Sequence, residues 1–387
     1  MAISLYMVAK WFMLPTGVWK LSISPNPSTR TIYSIYSVVI QSLYIMYNAS
    51  MLIRLIQMWG KYPMAELYVF LTLTILILEI NYKIMIYLKN GIPQMFATVI
   101  EREESVLNSE DGEMKKIYLS RVKYYKFATF CQCFCSGFGI SWFVIINIYT
   151  KYYMQVKVDH FMYELWFPFD KEKHDTFVAG YNVVMAFYGF LFNCASQTPL
   201  QTLMVFSAAQ LEILQLKLSR SFEETVSSEE AKLEHVKKLI REHQFLIQFV
   251  TNLNEAIKYT ILLEFAVESV HGAGALLQLI STKKAIEIPY ALMYLSLLVI
   301  NMSALAWSAN EVTTQSENVT VGVYGSNWTA QSAPLKKLLL MVLMRAQKPL
   351  SIDVGPFRPM NNEAALMTAK GSYTYAQFMI HSRSISK

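Results

Sequence analysis

Residues 66–88, ELYVFLTLTILILEINYKIMIYL, decide the fold: seventeen of these 23 residues are apolar. As a helix rising about 1.5 Å per residue, such a run crosses the roughly 30 Å hydrocarbon core of a bilayer. Comparable runs recur at 32–56, 127–149, 177–206, 254–280 and 288–309, and a more polar one at 360–381. The chain of 387 residues is 54% hydrophobic and 16% charged, where a soluble domain carries about 25% charged residues. Its mean hydropathy is +0.29. The expectation is an all-α membrane protein with seven transmembrane helices. Trp59, Tyr62, Tyr149, Tyr152, Tyr153 and Trp166 crowd the span ends, as an interfacial belt does.

Composition excludes several functions. The net charge of +6 is spread over many loops and makes no basic patch for nucleic acid. Cys131, Cys133, Cys135 and Cys194 all lie inside apolar segments, so no disulfide framework is expected. In CQCFC (131–135), Cys131 and Cys135 share a helical face while Cys133 points away. No fourth ligand sits nearby, so no metal site is expected. There is no phosphate-binding glycine loop and no nucleophile elbow, hence no enzyme and no cofactor. The first residues lack the basic start and small-residue cleavage site of a signal peptide.

Two segments outside the spans are helical by pattern. In 207–253, Ser227 and Glu230 form a capping box, and Leu233, Val236, Ile240 and Ile247 follow at helical spacing. The segment 334–347, PLKKLLLMVLMRAQ, opens on Pro334 and stops before Pro349. Its length of about 21 Å is too short to span. Leu338, Leu339, Leu340, Met341, Leu343 and Met344 therefore bury against protein, either the chain's own helices or a neighbouring subunit. Orientation is open: Lys and Arg are more numerous on the N-terminal side, but mostly in long loops, where the rule is weak. The sequons at Asn318 and Asn327 argue the other way.

The final run is polar along one stripe. Lys370, Thr374, Gln377 and His381 recur at four, three and four residues, with Phe378 beside them. Such a stripe solvates ions in a pore built from symmetry-related copies, and a neighbouring apolar ring can close it by dewetting. The same stripe also suits a polar helix buried within one subunit. Inside other spans, Glu79, Lys83, Glu264, Glu268 and His271 are ionisable. They read as a buried interhelical network, or as contacts to a pocket or gating path.

The motifs ELWFPFDKEKHDTF (164–177), LIREHQFLIQFVTNLNEAI (239–257), GVYGSNW (322–328) and MVLMRAQKPLSIDVGPFRPMNNEAA followed by GSYTYAQFMI (341–380), in this order, resemble those of the insect odorant receptors. The resemblance covers essentially the whole chain. It implies a cytoplasmic N-terminus (1–31), six helices within 32–309, a cytosolic extension at 207–253 and a cytosolic anchor at 310–359. It further implies a pore-lining helix at 360–381 with Phe378 at the gate, and a short extracellular tail at 382–387. The implied function is an odorant-tuning subunit in the plasma membrane of sensory neurons. Its partners would be a small volatile odorant and the odorant-receptor co-receptor, in a tetrameric ligand-gated cation channel. The fourth-to-fifth loop has no long insertion, unlike the co-receptor's.

The family pocket lies in the outer half of the bundle. That half selects Phe70, Thr74, Phe138, Trp142, Tyr181, Met185, Tyr188, His271, Gln278, Tyr290 and Tyr294 as ligand-binding candidates. Alternatives are a gustatory receptor of the same superfamily and a G-protein-coupled receptor. The latter is disfavoured because no loop cysteine, no acidic-Arg-aromatic motif after span three and no Asn-Pro-x-x-Tyr motif is present.

Overall fold

The computed structural model describes residues 4–19, 26–62, 64–89, 91–153, 163, 165–222, 228–281 and 288–385. The helices are α1 (Leu5–Met13), α2 (Pro27–Met58), α3 (Met64–Lys89), α4 (Ile92–Asn108), α5 (Gly112–Ile148), α6 (Asp175–Ser219), α7 (Glu229–Ser281), α8 (Ile288–Glu317), α9 (Val319–Tyr324), α10 (Ala333–Ala346) and α11 (Asn362–Ile385). A two-stranded antiparallel hairpin, β1 (Asp353–Val354) and β2 (Arg358–Pro359), sets Asp353 opposite Pro359. Six of the described helices are long and apolar enough to cross a membrane, and α11 is not among them.

Helix starts follow local chemistry. Asn26 accepts a hydrogen bond from Ser28 N ahead of Pro27, and the Asp111 carboxylate accepts from Glu113 N and Met114 N. Gly91, at φ +75°, turns α3 into α4, a backbone region that other residues enter at a cost. At the start of α7, Ser228 Oγ accepts from Ala231 N at 3.2 Å. The capping residue expected from sequence, Ser227, lies outside the described residues.

The three longest helices outrun the bilayer by the most. α5, α6 and α7 contain 37, 45 and 53 residues. At about 1.5 Å per residue they reach roughly 55–80 Å, against a hydrocarbon core of roughly 30 Å. Their overhanging ends pack with α4, α9, α10 and the hairpin into a second, extramembrane layer. Ion pairs knit this layer. Arg121 joins Glu212 (2.7 Å) to Glu311 (2.5 Å), so one guanidinium ties α5, α6 and α8. Lys217 pairs with Glu242 at 2.7 Å between α6 and α7. Glu103 accepts from Leu5 N at 2.6 Å and so holds α1 against α4; burial raises its carboxyl above the usual range, which these amide donors partly offset.

The axis of the core is α6. Leu200, Leu203, Met204, Phe206, Leu211 and Leu214 are fully buried there, and Phe206 meets Phe249 of α7 edge-on at 5.5 Å. The polar residues of α6 are buried as well, and several bond within the helix. Thr198 donates to Cys194 O (2.9 Å), Thr202 to Thr198 O (2.8 Å) and Ser207 to Leu203 O (2.8 Å). At Gly322 of α9 an added Cβ would stand 2.7 Å from Gln215 O of α6, so the two backbones touch.

The hairpin grips α7 near its middle. Asn254 Nδ2 donates to the Asp353 carboxylate and Asp353 N donates back to Asn254 Oδ1, both at 2.8 Å. Gly355, at φ +59°, donates its N–H to Lys258 O at 3.0 Å. On α10, Leu335, Leu339, Val342, Leu343 and Ala346 are buried, Leu338 is half-buried, and Leu340, Met341 and Met344 are exposed. The expected interface set is therefore divided between the chain's own core and an uncovered apolar face.

Candidate functional site

A cavity of about 110 Å³ lies between α2, α3, α5, α6 and α8. Tyr44 and Tyr47 of α2 form one wall, with Leu73, Leu76, Ile77 and Ile80 of α3 beside them. Cys135, Ser136, Gly139 and Ile140 of α5 face Met185, Ala186, Gly189, Phe190 and Asn193 of α6. Tyr294 and Leu297 come from α8, and Tyr163 covers the end. The space exists because small residues meet: Gly139, Ser136, Ala186 and Gly189 remove side chains from two facing helices. Nothing lies within 4 Å of a Cβ placed on Gly189.

The polar content of the cavity is sparse. Tyr44 stacks on Phe192 at 3.8 Å, and its hydroxyl is buried without a hydrogen-bond partner among the described residues. An unpaired buried hydroxyl costs on the order of 1–3 kcal/mol, which an acceptor on a bound molecule removes. Tyr47 packs against Tyr163 (6.5 Å) and Tyr181 (6.4 Å), and Tyr181 meets Phe167 edge-on at 5.7 Å. The segment bearing Phe167 is fixed to α2: Ser50 Oγ donates to Trp166 O at 2.6 Å. The cavity is thus a mainly apolar chamber, walled by aliphatic and aromatic side chains, under an aromatic roof.

Of the expected ligand-binding residues with described side chains, Met185 and Tyr294 line this cavity. Tyr181 stands one layer above it, in the aromatic roof. Tyr188 faces Tyr36 of α2. Phe138 stacks on Phe134 (6.1 Å) and Trp142 (6.0 Å) along the outside of α5, and Phe138 is exposed. The cavity face of α5 runs instead through Ser136, Gly139 and Ile140, one residue away, and one residue is about 100° on a helix. On α3 the displacement is similar. Phe70 and Thr74 are buried, and Thr74 donates to Phe70 O at 2.8 Å, while Leu73 and Ile77 face the cavity. His271 bonds Thr72 O at 2.9 Å on another side of α3. The side chains of Gln278 and Tyr290 lie outside the described residues. Tyr44 and Tyr47 were not selected from sequence, although their spacing of three puts them on one face of α2.

Three of the ionisable residues of the spans, Glu79, Lys83 and Glu264, form a separate network. Lys83 pairs with Glu79 (2.8 Å) and Glu264 (3.1 Å), and Gln197 Nε2 donates to Glu264 at 2.8 Å. Tyr87 donates to Ser196 O at 2.5 Å beside it. Cys133 and Cys194 approach to 3.7 Å as free thiols. No group of three or more His, Cys, Asp or Glu that could hold a metal occurs among the described residues.

On α11, Ala364, Ser372 and Ala376 are buried against the bundle, and Ser372 donates to Ser269 O of α7 at 3.1 Å. Lys370, Thr374 and Gln377 are exposed on another face, with Phe378 71% exposed beside them. The side chain of His381 lies outside the described residues.

The chain is similar to known proteins in sequence and in fold. Odorant receptor 10 of Aedes albopictus is 30% identical over 199 residues, covering 50% of this chain and 52% of that protein. Odorant receptor Or2 of Anopheles gambiae is 27% identical over 180 residues, covering 45% and 48%. The chain spans about half the length of these curated relatives. The solved structure of the insect olfactory receptor OR5 from Machilis hrabei in complex with eugenol superposes with a TM-score of 0.83 at 17% identity, covering 98% of this chain and 97% of that one. Residues 64–373 match the family model of the 7tm odorant receptors, and with four-fifths of its length so matched the chain belongs to that family.

Proposed function

We propose that the chain is an odorant-tuning subunit whose ligand occupies the cavity between α2, α3, α5, α6 and α8. The observation that carries this reading is a mainly apolar chamber whose wall includes Tyr44, its hydroxyl without a partner among the described residues. At about 110 Å³ it is close to the roughly 150 Å³ engineered cavity that takes up benzene. The ligand is therefore a volatile built around one ring or an equally short chain, with an oxygen acceptor for Tyr44. A relative of the same fold was solved with eugenol, a one-ring molecule, which fits this size class.

Binding favours one arrangement of the bundle and so shifts a closed-to-open equilibrium. In the proposed assembly the N-terminus is cytoplasmic, and α11 lines a non-selective cation pore with Lys370, Thr374, Gln377 and His381. Phe378 narrows that pore. The co-receptor supplies the remaining subunits, and Leu340, Met341 and Met344 of α10 contribute to contact between subunits. The plasma membrane of sensory neurons is the proposed site of action.

The test is electrical. The chain is expressed with and without the co-receptor, and odorant-evoked current is recorded from excised patches lacking GTP. Current that needs the co-receptor and persists without GTP supports the reading. Gly189→Phe, which fills the chamber, should raise the half-effective odorant concentration at least tenfold with surface complexes unchanged. Responses that always require GTP, or an unaltered dose–response in that variant, would overturn it.

A further inference from the structure

A second cavity, of about 510 Å³, opens between α7, α8 and α11. None of its lining residues belongs to the first cavity. Its walls are mainly aliphatic, including Leu276, Leu295, Leu298 and Met302. Val299, Trp307 and Leu366 stand at its rim and are exposed, so it opens sideways on the apolar flank of the bundle. The odd member of the lining is Glu268, which is 8% exposed and whose Oε2 has no hydrogen-bond partner among the described residues. A buried carboxyl is costly unless it is paired.

Counting charge in this region sharpens the point. Lys83 lies between Glu79 and Glu264 at 2.8 and 3.1 Å. Glu268 follows Glu264 by one turn of α7. Lys83 thus pairs with two of the three carboxyl groups and Glu268 has no ion-pair partner among the described residues, while the nearby His271 has its Nε2 directed to Thr72 O. We infer that this groove binds a protonated amine with an apolar tail. The ammonium donates to Glu268 and the tail lies along the seam of α8 and α11. The volume falls in the range of small-molecule sites. The occupant touches Gly272 and Ser372, where α7 and α11 cross so closely that a Cβ on Gly272 would stand 2.7 Å from Ser372 Oγ. Binding there bears directly on the seating of α11.

The test uses the full chain in lipid nanodiscs with two photoreactive probes of equal length, a diazirine-bearing octylammonium and the matching octanol. Labelled positions are mapped by mass spectrometry. The ammonium probe should label peptides of α8 and α11, and Glu268→Gln should reduce that labelling at least tenfold while sparing the alcohol's. Val299→Trp, which blocks the groove without touching the ion cluster, should reduce labelling by both probes. Equal labelling by both probes, insensitive to Glu268→Gln, would reduce the groove to an apolar cleft and overturn the inference. If Glu268→Gln does not fold, competition decides in the native chain: unlabelled octylammonium must displace the ammonium probe, and failure to do so refutes the site. Binding is read directly, so the result is independent of whether the chain conducts.

Discussion

Helices α6 and α11 both carry polar residues at a density unusual for a membrane, and they place them oppositely. In α6, Ser196, Gln197, Thr198, Gln201, Thr202, Ser207 and Gln210 are all buried. Many of these groups are satisfied internally, by carbonyls one turn back, by Tyr125 (Thr202 Oγ1 to its Oη, 2.8 Å) or by Glu264. In α11 the buried face is small, Ala364, Ser372 and Ala376, and the larger polar groups are turned out of the subunit. Polarity alone therefore does not mark a water-facing helix. What separates the two is direction: the polar side chains of α6 face into the subunit, whereas those of α11, bonded within their own helix (Thr374 Oγ1 to Lys370 O, Gln377 Nε2 to Tyr373 Oη), face out of it.

That contrast can be broken in graded ways. The largest effect is expected at the ion cluster against α6. Lys83→Met leaves Glu79 and Glu264 buried without their cation, at a cost of about 3–5 kcal/mol. Folded protein recovered at the cell surface should collapse, and adding Glu264→Gln should restore part of it. Next comes the contact of α6 with α9: Gly322→Ala forces a Cβ against Gln215 O and should cost about 1–3 kcal/mol, read as a lower Tm.

His243 on α7 tests the extramembrane layer. Burial and the Arg345 guanidinium push its pKa down from 6.5 to about 4. Above the unfolded value both states are neutral and nothing is lost. As pH falls from 6.5 towards 4 the unfolded chain binds the proton first, so stability declines through that window, by about 3 kcal/mol. His243→Phe should flatten that slope in a pH series of thermal melts. The smallest effect on stability is expected on the exposed stripe of α11. Thr374→Val and Gln377→Leu should change stability by less than about 0.5 kcal/mol. If either lowers Tm as much as Gly322→Ala, the stripe is structural and the contrast with α6 fails.

Six of the spans were legible because the bilayer demands some twenty apolar residues in a row, and each of those runs falls largely within one long helix. Their overhangs were less legible. Beyond the lipid, hydropathy drops while the helix continues, so α5 starts at Gly112, well before the apolar run at 127. Helix α4 was missed although Ile92, Met95, Phe96, Val99, Glu103 and Val106 are buried at spacings of three and four, the mark of an amphipathic helix. The site was the least legible part. Sequence reasoning selected large aromatic residues, but a cavity is made where side chains are small, at Gly139, Ala186 and Gly189. An error of one residue turned Phe138 and Trp142 away from it. The aromatic walls came from the middle of the first span, Tyr44 and Tyr47, which that reasoning had not selected.

The clasp of the hairpin on α7 has a mechanical consequence. Held at Asn254 and Lys258, a single unbroken rod of 53 residues has an arm on either side of its fulcrum. With arms of about 35–40 Å from the helical rise, a tilt of only ~3° swings each tip by ~2 Å, in opposite directions. A displacement smaller than a methyl group near Gly272 is thereby translated into a shift of the distant tip at Glu229, so the two layers of the molecule move as the ends of one seesaw.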